Sequence, residues 1–239
     1  MRVMLYCVSA AQDGLARSAS AGPAPSAGPL QPVTSHDLTA WVGPPPTNLE
    51  STETALAFGR VIEAYHERMT VIPMRYGCLF DDPDAVAAHL GAHQGQYQAV
   101  LAELDACAEL SLRIPIGHSA AQADPATQAV AEQTSGRAYL LQRQRALSAE
   151  QTAVHQAEAL DRQLVGLVRR REIEAGSFAG QAMVSVHYLV PRPRVAQVTA
   201  VLRAASADAA ARPVPRAWQL SGPWPPYHFA ALADLSSEK

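Results

Sequence analysis

In the stretch ELSLRIPI, Glu109–Ile116, apolar side chains recur at every second position: Leu110, Leu112, Ile114 and Ile116. That is the period of a strand with one face on a core, so the stretch predicts a half-buried strand. Gly117–Pro125 follows as a polar loop. From about Ala126 a helical pattern runs toward Leu164 through Tyr139, Leu140, Leu147, Val154 and Leu160. Arg137, Arg143, Arg145, Glu150 and Glu158 take its solvent side, and a break near Ser148 is allowed. Gly166–Glu174 predicts a second strand and Ala175–Gly180 a turn. Ala182–Val190 predicts a third strand, largely apolar on both faces. Val195, Val198, Val201 and Leu202 have helical spacing, and Val214–Ser221 closes the set as a strand. Strand, helix, strand, strand, helix, strand is the order of a ferredoxin-like domain.

The chain upstream reads as a smaller α+β domain. Val3–Ser9 is a buried strand. Pro32–Val42 is a second, broken at Ser35–Asp37 and ended by the prolines of Gly43–Pro46. A helix starts at Ser51 or Thr52, with Thr52 a candidate cap, and ends near Arg68. Thr70–Pro73 is a short strand. Asp82 before Pro83 is a natural N-cap, opening a helix that carries Val86, Leu90, Tyr97, Leu101 and Leu104 to about Ala106. The expected fold class is therefore α+β in two domains. Residues 1–107 form the N-terminal α+β domain. Residues 108–239 form a ferredoxin-like βαββαβ domain, an antiparallel sheet with two helices and a Pro/aromatic tail.

Composition narrows the function classes. With 239 residues the chain is long enough for one large or two small domains. Aromatic residues are only 6%, so the core must be mostly aliphatic. A net charge of −3 and a pI near 6.2 argue against a nucleic-acid partner, which calls for a basic face. The cysteines Cys7, Cys78 and Cys107 are three, widely spaced and without a C-x-x-C, as in a reduced, cytoplasmic protein. MRVMLYCVSA is too short in its apolar run for a signal peptide, and no run approaches the ~20 residues that span a bilayer.

The constellations that would carry catalysis are incomplete. His89 and His93 share one helix face, but neither a general-base Glu nor a third ligand accompanies them, so a solvated face is favoured and no metal is expected. Cys78 and His66 form a nucleophile–base pair only if the fold brings them together, and no oxyanion loop flanks Cys78. Neither phosphate-cradling glycine loop is present, so no nucleotide cofactor is expected. Arg169, Arg170 and Arg171 read as a solvated edge strand.

Two segments ask for more. PMRYG, Pro73–Gly77, sets Arg75 at the exit of an apolar strand, beside Tyr76. Buried, that arginine needs a partner; exposed, it is a recognition point. GPWPPY, Gly222–Tyr227, carries three prolines that stiffen the chain under Trp224, Tyr227 and Phe229. Those aromatics either pack on the protein's own body or dock a partner.

These segments also carry a family resemblance. LYCV at Leu5–Val8, TVIPMRYGCLF at Thr70–Phe80, SGRAYL at Ser135–Leu140 and SGPWPPYHF at Ser221–Phe229 occur together and in order, and the chain resembles the gas vesicle protein F/L family. The proline–aromatic closing motif is the most specific piece, and PMRYG is next. The resemblance implies a minor component or assembly factor of gas vesicles, the hollow protein shells that give aquatic prokaryotes buoyancy. It implies association with the small shell subunit and other accessory proteins, a ferredoxin-like C-terminal half, and neither enzymatic activity nor a cofactor. Its place is then the gas vesicle, in the cytoplasm. Two departures stand out: the Ala/Pro/Gly-rich insert at Ala19–Leu30, and His228 where the family motif often has a small polar residue. Candidate partner-binding residues are Arg75, Tyr76, Trp224, Tyr227 and Phe229.

Two rival classes remain. A small-molecule enzyme on a ferredoxin-like scaffold is one, since fold does not fix function. An RNA-binding module is the other; its sheet would need stacking aromatics, and the candidate strands carry mainly Leu, Ile and Val beside Tyr188.

Overall fold

The computed structural model describes residues 1–11, 30–116, 151–178, 181–211 and 217–230. The chain forms two compact units. The first is Met1–Glu109 with the closing residues from Pro223, and the second is Leu110–Gly222. The expected division at 107/108 groups the closing segment with the second half instead. The insert at 19–30, apart from Leu30, and the helical pattern at 126–150 with SGRAYL lie outside the described residues.

In the first unit, β1 (Val3–Ala10), β2 (Gln31–Ser35), β3 (Leu38–Gly43), β4 (Ile72–Pro73) and β5 (Leu79–Phe80) make one antiparallel sheet. Its order is β2-β3-β1-β4, with β5 also on β1. The break expected at Ser35–Asp37 is a hairpin: Ser35 pairs with Leu38 around His36, whose φ is 53°. β3 is buried at every residue, so both faces of the sheet are covered. α1 (Thr52–His66) sets Phe58, Val61, Ile62 and Tyr65 against Met4, Tyr6, Cys7 and Trp41. α2 (Pro83–Ala92) and α3 (Gln94–Leu104) also meet the sheet, at β2 and β3 and at β1, β3 and β4 respectively.

Two expectations change here and a third holds. Ser51 caps α1 in place of Thr52, its hydroxyl accepting from the Thr54 N–H at 3.4 Å. The single helix expected to Ala106 is two, parted at His93, where ψ of 19° leaves the helical range. The Asp82 cap on α2 is as expected, accepting from Ala85 N–H at 2.8 Å.

β6 (Cys107–Pro115), a helix at 151–164 (α4), β7 (Arg170–Phe178), β8 (Gln181–Pro191), α5 (Val195–Ala210) and β9 (Gln219–Trp224) follow. The sheet order is β7-β8-β6-β9. Leu110, Leu112 and Ile114 of β6 join Val184, Val186, Tyr188 and Val190 of β8 on one core. Ala153, Ala157, Leu160 and Leu164 of α4 and Val198 and Leu202 of α5 complete it. The alternation read in ELSLRIPI thus marks the core face correctly. The strand is not half-buried, however: Glu109 and Ser111, between the apolar positions, are 2% and 4% exposed. The turn expected at Ala175–Gly180 is strand as far as Phe178, because pairing with β8 continues through Ala175↔Val184 and Ser177↔Ala182. No helix among the described residues is long and apolar enough to cross a membrane.

Candidate functional site

The Pro73–Phe80 stretch is built on the edge of β1. β4 pairs with Cys7 and Val8, and β5 with Val3 and Met4. Between them the Met74 N–H donates to the Tyr6 carbonyl at 2.9 Å, and the Leu5 N–H to the Cys78 carbonyl at 2.9 Å. The chain leaves the edge only for the turn Arg75–Cys78, closed by the Cys78 N–H on the Arg75 carbonyl at 3.2 Å. Gly77 occupies φ +86° within it, a region that glycine takes at little cost. Arg75 is exposed at the tip, so it is not the buried arginine that would need a partner. Tyr76 is half-buried, its ring edge-on to Phe58 at 5.3 Å, and Phe58 stacks on Tyr6 at 4.6 Å. The buried Tyr76 hydroxyl has no hydrogen-bond partner among the described residues.

The closing segment is part buried and part exposed. Pro225, Pro226 and Phe229 are buried, while Trp224 and Tyr227 are each 40% exposed. Tyr227–Phe229 is one 3-10 turn. Glu109, a residue that sequence reading did not single out, accepts the His228 N–H at 3.0 Å and pairs with His228 Nδ1 at 2.6 Å. The alternation places Glu109 on the face opposite Leu110 and Leu112, so nothing in the local sequence marked it. Burial pushes the Tyr227 phenol up, and Glu63, Cys7 and Glu109 add to the shift.

The weaker chemical candidates resolve locally. His89 and His93 lie 4.4 Å apart, ring to ring; His89 Nε2 meets the Tyr97 hydroxyl at 3.1 Å, and His93 Nδ1 the His89 carbonyl at 3.0 Å. Burial raises the Cys78 thiol, which opposes a thiolate nucleophile. β7 is an edge strand, as read for the arginine run. Arg170 pairs with Glu172 at 2.7 Å and Arg171 with Asp161, so both meet carboxylates of their own unit.

Comparison with known proteins places the chain. It is 28% identical over 193 residues to gas vesicle protein L of Streptomyces sp. (strain CB03234), covering 76% of this chain and 70% of that protein. Its fold matches the crystal structure of gas vesicle protein GvpF from Microcystis aeruginosa with a TM-score of 0.72 at 14% identity, over 97% of this chain and 99% of that one. GvpF from Anabaena sp. PCC7120 matches with a TM-score of 0.71 at 12% identity, over 97% of each chain. The gas vesicle synthesis protein GvpL/GvpF family profile matches residues 2–231, and the chain belongs to that family.

Proposed function

We propose that this protein is a non-enzymatic gas vesicle accessory factor that binds the apolar shell subunit and supports vesicle formation. Family membership over nearly the whole chain carries the reading. The physical need is plain: an apolar shell subunit in water aggregates unless a partner covers it before assembly. The docking face is formed by Arg75 and Tyr76 at the β1-edge turn and by Trp224 and Tyr227 of the closing segment, with Phe229 as that segment's buried anchor. Part-exposed aromatics and an arginine are the residue types that dominate protein interfaces. Both groups belong to the first compact unit, which supports their use together.

The second unit is ferredoxin-like in this reading, supported by its strand–helix–strand–strand–helix–strand sequence and the sheet order β7-β8-β6-β9. The division of the chain into two domains near 107–110 and near 222 accompanies it. The protein works in the cytoplasm at the gas vesicle, alongside other accessory proteins, without metal, nucleotide or nucleic acid. Deleting the gene in a vesicle-forming host tests this: vesicles should be lost or reduced and return on complementation. Unchanged vesicle yield would count against the reading.

A further inference from the structure

Prolines 225 and 226 remove two backbone donors directly after β9, so a strand ladder cannot hold the segment there. Its turn closes on itself: the Tyr227 N–H donates to the Pro225 carbonyl at 2.8 Å and the Phe229 N–H to the Pro226 carbonyl at 3.2 Å. The N–H between them, that of His228, leaves the turn and reaches Glu109 Oε2 at 3.0 Å. The His228 ring reaches the other oxygen, Nδ1 to Oε1, at 2.6 Å. With Glu109 as a carboxylate, which only accepts, Nδ1 is the donor of this pair. The Glu109 side chain is 3% exposed, and hydrogen bonds to a charged acceptor are short and strong in such surroundings. Burying this carboxylate costs desolvation, which two bonds from one residue help offset.

We propose that Glu109 is the positioning residue of the closing segment. Its carboxylate latches the Tyr227–Phe229 turn by accepting from the His228 N–H and from Nδ1. The segment is then a strap that opens locally when the latch is removed, while the sheet of the first unit stays closed. The latch also sets how Trp224 and Tyr227 are presented. This inference stands apart from the shell-subunit reading, and its test needs no partner.

Native-state hydrogen exchange and nitrogen-15 NMR of the full chain decide it. Glu109→Gln keeps the shape and one acceptor but loses the charge. The His228 and Phe229 amides are expected to exchange about tenfold or more faster. The Leu5, Cys7 and Ala40 amides keep their rates, and the His228 ring loses its Nδ1–H preference. His228→Asn keeps the backbone bond, so a smaller acceleration at the same two amides is expected. That variant lies at the surface end of the pair and carries the same contrast should Glu109→Gln fail to fold. Equal acceleration of the strap and sheet amides would overturn the proposal, and so would unchanged exchange at His228 in Glu109→Gln.

Discussion

Trp224 and Phe229 lie five positions apart in one segment yet have opposite environments, 40% and 3% exposed. Phe229 packs inside, and Trp224 faces solvent. Phe229→Ala is expected to cost about 3–5 kcal/mol, as for a large core truncation. Trp224→Ala should cost under about 1 kcal/mol, nearer a surface change. Urea unfolding of the two variants measures both. Equal costs would make Trp224 a core residue and remove it from the docking face.

Gly77 is held at φ +86°, and a β-carbon there would meet nothing within 4 Å. Substitution cost therefore isolates backbone strain. Gly77→Ala should destabilise by about 1–2 kcal/mol, and Gly77→Asn by less, since asparagine tolerates the left-handed region. Thermal unfolding of the pair reads the difference, and equal costs would point to a lost contact instead.

Tyr188 is fully buried, and its hydroxyl has no hydrogen-bond partner among the described residues. An unsatisfied buried hydroxyl carries a desolvation penalty of about 1–3 kcal/mol. Tyr188→Phe should therefore leave stability unchanged or raise it. A clear loss in denaturant unfolding would mean that the hydroxyl has a partner.

Burial pushes Tyr65 and Tyr188 up to about 12, from an ordinary phenol value of 10.0. Between those values the folded chain keeps protons that the unfolded chain releases. The stability these phenols contribute is thus complete below pH 10 and is lost as pH rises from about 10 through 12. Ultraviolet titration of tyrosinate, followed beside unfolding midpoints, should show both groups ionising late and stability falling over that window. Ionisation of every tyrosine near the ordinary value, with the fold intact, would contradict it.

Much of this was legible in local pattern. The every-second-residue apolar spacing of Glu109–Ile116 marks Leu110, Leu112 and Ile114 as core, and they are. Asp82–Pro83 fixes where α2 starts. Strand ends were not legible, because pairing decides them: β7 runs past the glycine at 176 since β8 stays opposite. The split at His93 had no proline to announce it, and the nearby glycines, Gly91 and Gly95, both sit inside helices. At the candidate site, proline and aromatic content flagged the closing segment, but nothing local separated buried Phe229 from exposed Trp224. Glu109 was missed because its partner, His228, is distant in sequence, and only the folded chain joins them.

The central claim is recognition of the shell subunit, and a pull-down by the purified, tagged full chain tests it most directly. The intact protein is expected to retain the shell subunit. Trp224→Ala should weaken that retention by roughly 30-fold, the equivalent of an interface anchor worth about 2 kcal/mol, with unfolding unchanged. No retention by the intact, folded protein would contradict the account.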